Sequence, residues 1–160
     1  MTRIAVLVMF AAIAFAQPPV PENLQPPPGA ELKMQAHAIG DQVYACVGSK
    51  WILRGPDAKL FDDAGHEVGT HFAGPTWRWS DGSQVTGKPV ANATPDPDSI
   101  PWLLLTVADR AGSGAMTNVT SIQRLHTKGG KAPASCESTQ KDERKRIHYT
   151  ADYYFFTASH

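Results

Sequence analysis

Cysteine is scarce in this chain, with two in 160 residues, Cys46 and Cys136. Without a Cys-x-x-Cys pair there is no redox motif of the thioredoxin kind and no cysteine-rich zinc site. Charge of one sign is also lacking: 15 Lys+Arg balance 15 Asp+Glu, a formal net charge of +0. That balance gives no electrostatic reason to bind nucleic acid or an anionic membrane. No apolar run reaches the ~20 residues that a membrane-crossing helix needs, and no stretch holds a helical period for three turns. No internal repeat stands out, which argues against propellers and solenoids. The Gly-x-Ser-x-Gly elbow of many hydrolases is missing. AGSGAMT at 111–117 lacks the third glycine, the following helix and the acidic residue of a dinucleotide fingerprint. No cofactor is expected.

The N-terminus is more informative. It reads MTRIAVLVMFAAIAFAQPP: one arginine, an apolar run from Ile4 to Ala16, and then Ala-Phe-Ala, a small-x-small cleavage pattern. A signal peptide over residues 1–16 is predicted, with the mature chain periplasmic or secreted and without a membrane span. Residues 17–30, with QPPVPENLQPPPG, form a Pro-rich leader that cannot make a helix or a central strand, and it reads as extended and mobile. Residues 31–160 are of single-domain size. In an oxidising compartment Cys46 and Cys136 are expected to bond, and closing a loop of that length is worth about 4 to 5 kcal/mol by chain entropy.

From Glu31 onward short runs rich in β-branched and aromatic residues alternate with Gly, Pro, Asp and Asn, the composition of strands and turns. In DQVYACV at 41–47, Val43, Ala45 and Val47 alternate with Tyr44 and Cys46. IPWLLLTVA at 100–108 is apolar on both alternating faces, as in a strand buried on both sides. IHYTADYYFF at 147–156 reads as a long terminal strand. An all-β single domain is expected, either a β-sandwich or a partly closed β-barrel with one disulfide.

Candidate chemistry concentrates in HFAGPTWRWSDGSQV at 71–85. The preceding HEVGTH imitates the zinc-protease pattern, but its histidines are five apart. On a helix that leaves the rings ~140° apart, and on a strand it puts them on opposite faces. No metal site is therefore assigned, although His71 with His37, His126 or His148 is a combination the spacing leaves open. Asp81-Gly82-Ser83 has the composition of a hairpin turn rather than of a nucleophile. Trp77 and Trp79, two apart, share a strand face that either fills a core or offers a stacking platform. Further along, HTKGGKAP at 126–133 is a glycine-containing basic loop with the capacity to present donors to an anion. Arg124 and Asp152 stand in otherwise uncharged surroundings and are expected to pair. The candidate ligand-binding set is His71, Trp77, Asp81, Arg124, Thr127 and Asp152.

Taken with DQVYAC at 41–46, VGTHFAGPTWRWSDGSQVTG at 68–87, SIPWLLLTVA at 99–108, TSIQRLHTKGGKAPASC at 120–136 and YTADYYFF at 149–156, the chain resembles a family of exported bacterial and fungal proteins of unknown function, DUF3455. Asp41 departs from the apolar residue expected before Gln42. The resemblance implies export and one compact domain, and it carries no catalytic residues or substrate. The leading expectation is a non-catalytic ligand-binding domain, for a small molecule or polysaccharide, on the surface that carries His71, Trp77 and Asp81. A hydrolase using His71 and Asp81, and a structural or interaction protein of the cell envelope, are the alternatives. The oligomeric state is left open.

Overall fold

A computed structural model describes residues 18–159; the expected signal peptide lies outside the described residues. The strands are β1 (Glu31–Val47), β2 (Lys50–Phe61), β3 (Glu67–Phe72), β4 (Thr76–Trp79), β5 (Gln84–Ala93), β6 (Trp102–Ala111), β7 (Val119–Gly129) and β8 (Arg144–Thr157). Each pairs antiparallel with its neighbour in sequence, and β8 returns to pair with β1. The sheet thereby closes into an up-and-down barrel. Of the architectures open at the sequence level it is the ring that forms, and it closes completely, which leaves no unpaired sheet edge.

An eight-stranded ring is just wide enough for side chains to fill it. Two small residues of β1 stand opposite large ones of β8, Ala36 facing Tyr153 and Gly40 facing Tyr149, while Ala38 faces Ala151. A Cβ on Gly40 would sit 2.3 Å from the Asp57 carbonyl oxygen, so only glycine lets β1 and β2 approach there. Strict alternation sends Ala36, Ala38, Gln42 and Tyr44 inward from β1 and Tyr149, Ala151, Tyr153 and Phe155 inward from β8.

The two ends of the lumen differ. At the end where β2 joins β3 and β4 joins β5, the filling is apolar: Leu60, Val85, Val119, Phe155 and Met116 from the loop after β6, all fully buried. The opposite end is crossed by segments 94–101 and 130–143. The second of these is fastened by the Cys46–Cys136 disulfide, around which Tyr44 and Trp51 pack.

The proline-rich leader is held against the barrel rather than mobile. A 3-10 turn at Glu22–Leu24 buries Leu24 completely against Trp102 and Leu125, while Val20 packs nearby. Gln123 donates Nε2–H to the Leu24 carbonyl at 2.6 Å, and Asn23 donates to the Asn92 carbonyl at 3.1 Å. This explains why β6 is apolar on both faces: Leu103, Leu105 and Val107 join the lumen cluster, whereas Trp102 and Leu104 lie beneath the leader.

Candidate functional site

The question raised by the tryptophans at 77 and 79 is settled by strand register. His71 stands opposite Trp77, and Gly69 opposite Trp79. The face they share points into the lumen, where Trp77 is 1% and His71 2% exposed. The surface expected to carry His71, Trp77 and Asp81 as an outward platform is therefore an inward face, and it offers no external stacking plane. His71 stacks on Trp77, and both meet Tyr153 edge-on. Its Nδ1–H donates to the Thr76 carbonyl at 2.8 Å. Burial, with a smaller push from the Arg124 charge, lowers the imidazole pKa to about 3, so the ring is neutral.

Arg124 faces inward beside Tyr153 and Leu103. The expected pair with Asp152 does not form. Leu125, not Arg124, is the register partner of Asp152, so the two charges leave the sheet on opposite faces. Arg124 instead donates Nε–H and Nη2–H to the Pro101 carbonyl at 3.0 and 2.8 Å. Its charge reaches Tyr44, His71, Tyr149 and Tyr153 and favours the less protonated form of each. Burial works in the other direction on the three tyrosines and dominates, raising all three pKa values, so their hydroxyls stay protonated.

This polar end holds further groups. Gln42 is 2% exposed, and its Nε2 has no hydrogen-bond partner; the same is true of Trp77 Nε1. Tyr149 and Tyr153 bring their hydroxyls to 3.4 Å of one another, and Tyr44 donates to the Gly130 carbonyl at 2.6 Å. Gly130 needs its positive φ of 78°, and a Cβ there would stand 2.9 Å from that of Tyr149 and 3.1 Å from Gln42 Cγ. Thr127 lies outside this group and serves the cap: its hydroxyl donates to the Ile100 carbonyl at 2.5 Å, while Ser99 Oγ accepts from Gly129 N–H at 3.0 Å.

Asp81 is remote from His71 in its bonding. It closes the β4–β5 turn, with Oδ1 accepting from the Ser83 N–H and hydroxyl, and Oδ2 accepting from Ala115 N–H. Those donors, the Ser83 hydroxyl foremost, hold its pKa below the usual carboxylate range. Asp81-Gly82-Ser83 is thus the hairpin turn its composition predicts, and it also anchors the loop that carries Met116.

Asp152 belongs to an array on the outer wall. Its Oδ1 lies 2.6 Å from His37 Nδ1 and its Oδ2 2.7 Å from His126 Nδ1, while His37 Nε2 lies 2.9 Å from Asp63 Oδ1. His126 has a φ of 52°, where β7 carries one residue more than β8 between Leu125 and Lys128. Trp102 and Tyr154 meet its ring edge-on. Asp41 also has an outward role, accepting from Arg146 Nε–H at 2.9 Å.

Of the six candidate residues, His71, Trp77 and Arg124 come together in the polar end of the lumen. Thr127 secures its cap, Asp152 lies outside it, and Asp81 serves the opposite end. Gln42, Tyr44, Tyr149 and Tyr153 were absent from the candidate set. Two-residue alternation was the available signal, because it places these polar side chains on the same faces as Ala36, Ala38 and Ala151.

Fold and site define a small up-and-down β-barrel with an apolar end, a polar end and a disulfide-fastened cap. The chain belongs to the family described as protein of unknown function (DUF3455), whose model matches residues 26–157. No curated protein and no solved structure matches it.

Proposed function

We propose that this is an exported, non-catalytic barrel domain that holds a small ligand in the polar end of its lumen. The observation that carries the reading is Gln42, almost completely buried with both Nε2 hydrogens unused. A buried amide left without partners costs about 1 to 3 kcal/mol, so a group that accepts from it is favoured there. Trp77 Nε1 makes the same demand a few ångströms from His71. The hydrolase reading that joins His71 to Asp81 loses its support, since these residues bond to separate partners and the imidazole is neutral and enclosed.

Heteronuclear NMR on the chain from residue 17 tests the proposal, using a panel of small acids, amides, sugars and aromatics. Binding in the lumen perturbs the Gln42 side-chain amide and the Trp77 indole N–H together. Perturbations confined to the outer wall, or none, would sink the reading. Export is tested separately, by fractionating cells and sequencing the N-terminus of the mature protein, where Gln17 is the expected first residue.

A structural role in the envelope is the second reading, and the burial of Trp77 favours it. On that reading the aromatic contacts among His71, Trp77, Tyr153 and Phe155 serve only to fill the ring.

A further inference from the structure

Resting on the proposal that the polar end of the lumen holds a ligand, we infer that the ligand is a small carboxylate and that Arg124 recognises it. The inference starts from a charge count within the lumen. Arg124 brings a guanidinium to the inner face, and no carboxylate stands with it: Asp152 is outside on His37 and His126, Asp81 is bound to the β4–β5 turn, and Arg124 takes part in none of the ion pairs among the described residues. His71 is neutral and adds no charge, and the three nearby tyrosines keep their protons and supply no anion. The polar end is therefore cationic. A guanidinium withdrawn from bulk water is stabilised best by an anion with matching geometry.

Geometry narrows the class. The side-on edge of the guanidinium, Nε and Nη2, is engaged by one carbonyl oxygen, that of Pro101, which fixes the plane of the group. The Tyr153 hydroxyl oxygen accepts a further hydrogen bond from the guanidinium. Arginine carries five N–H donors in a rigid fork, more than the Pro101 carbonyl and the Tyr153 hydroxyl use, and those left over suit a planar, two-oxygen acceptor. The same end of the lumen holds further donors: the unpartnered Nε2 of Gln42, the indole N–H of Trp77, and one hydroxyl of the Tyr149–Tyr153 pair. A site of donors with one fixed positive charge suits an acid, whereas a neutral amide of the same shape would bring its own N–H groups against them. The neighbouring side chains are aromatic and buried, among them Trp77, Tyr149 and Tyr153, which favours a small acid.

Arg124 keeps some exposure while Gln42, His71 and Tyr153 keep almost none. The guanidinium thus stands where the lumen meets solvent, beneath the cap that Thr127 and Ser99 fasten.

The test uses isosteric pairs on the chain from residue 17: acetate with acetamide and benzoate with benzamide, alongside inorganic phosphate, followed by calorimetry and by the Gln42 and Trp77 N–H resonances. The inference expects an acid to bind at least tenfold more tightly than its amide, with Arg124→Met abolishing the preference and Arg124→Lys retaining part of it. Because the acid-to-amide ratio is measured on the unaltered protein, it stands even if Arg124→Met fails to fold. Equal binding of acid and amide in the lumen overturns the carboxylate assignment and leaves the ligand-binding proposal intact. Phosphate bound more tightly than either acid overturns the planar two-oxygen geometry. Silence of both reporter resonances toward every probe overturns the assignment and the underlying proposal together.

Discussion

His71 lies flat on Trp77, with ring centroids 4.2 Å apart and planes within 13° of parallel. Burial keeps the stacked imidazole neutral, with its pKa lowered to about 3. In the unfolded chain the same ring titrates near its ordinary value of 6.5. Below that pH the unfolded state takes up a proton that the native state refuses. The stability contributed is therefore complete above pH 6.5 and lost progressively as pH falls toward 3, by an amount on the order of 4 kcal/mol. His71→Phe keeps an aromatic face on Trp77 and removes the titration. Its urea midpoint is expected to be lower than wild type at pH 7.5, because the Thr76 carbonyl loses its donor, but to fall much less between pH 7.5 and 4.5. Parallel losses in the two proteins would contradict this account.

The outer-wall histidine has the opposite sign. His37 sits between Asp152 and Asp63, and its hydrogen bond to Asp152 is the foremost cause of a pKa raised above 6.5. Its stabilisation is present below pH 6.5 and disappears as pH rises through the native value. Because the side chain is 46% exposed, screening limits the effect to about 1 kcal/mol or less. Asp152→Asn is expected to bring the His37 titration seen by NMR back toward 6.5. An unchanged His37 midpoint would show that Asp63 alone sets it.

Leu24 joins the leader to the barrel. Leu24→Ala empties a fully buried position against Trp102 and Leu125 and should cost about 2 to 4 kcal/mol. Limited proteolysis is expected to cut the leader of this variant near Pro21–Gln25 while the barrel stays intact. A variant as stable and as resistant as wild type would mean that the turn adds nothing to the fold.

Reduction of Cys46–Cys136 releases the segment that covers the polar end. The bridge spans a sequence separation of 90, and its loss is expected to cost about 2 to 5 kcal/mol. The effect should be seen as a lower melting temperature with a phosphine reductant and as a change in Trp51 fluorescence, since Trp51 donates its indole N–H to the Ser135 carbonyl within the released segment. Calorimetry showing the same melting temperature with and without the reductant would refute a stabilising role.

Much of the architecture was legible in the chain because period-two alternation is local. Tyr44 and Cys46 on one face of β1, Trp77 and Trp79 on one face of β4, and the Asp81-Gly82-Ser83 turn all follow from neighbouring residues. The disulfide was equally legible, there being only one way to pair two cysteines. What alternation cannot report is which face looks inward, and that decided the candidate site: Trp77 and His71 turned into the lumen and Asp152 away from it. Arg124 and Asp152 looked like partners because both are charged residues in apolar strands. The register of β7 on β8, shifted by the extra residue near His126, separates them. The leader misled for a related reason. Its prolines exclude regular structure, yet Val20 and Leu24 still have an apolar surface to cover, one that exists only after β5, β6 and β7 have assembled.

The pairing of the first strand with the last sets the order in which this molecule can be made. His37 and Asp152 are 115 residues apart and face each other across the closing seam. Until β8 is available, every shorter piece of the chain is a curved sheet with two open edges and an unfilled interior, because Tyr149, Tyr153 and Phe155 have not yet arrived. Contacts of such long range are slow to form. A nascent chain would thus stay open along its length until the strand Arg144–Thr157 is free to close the seam.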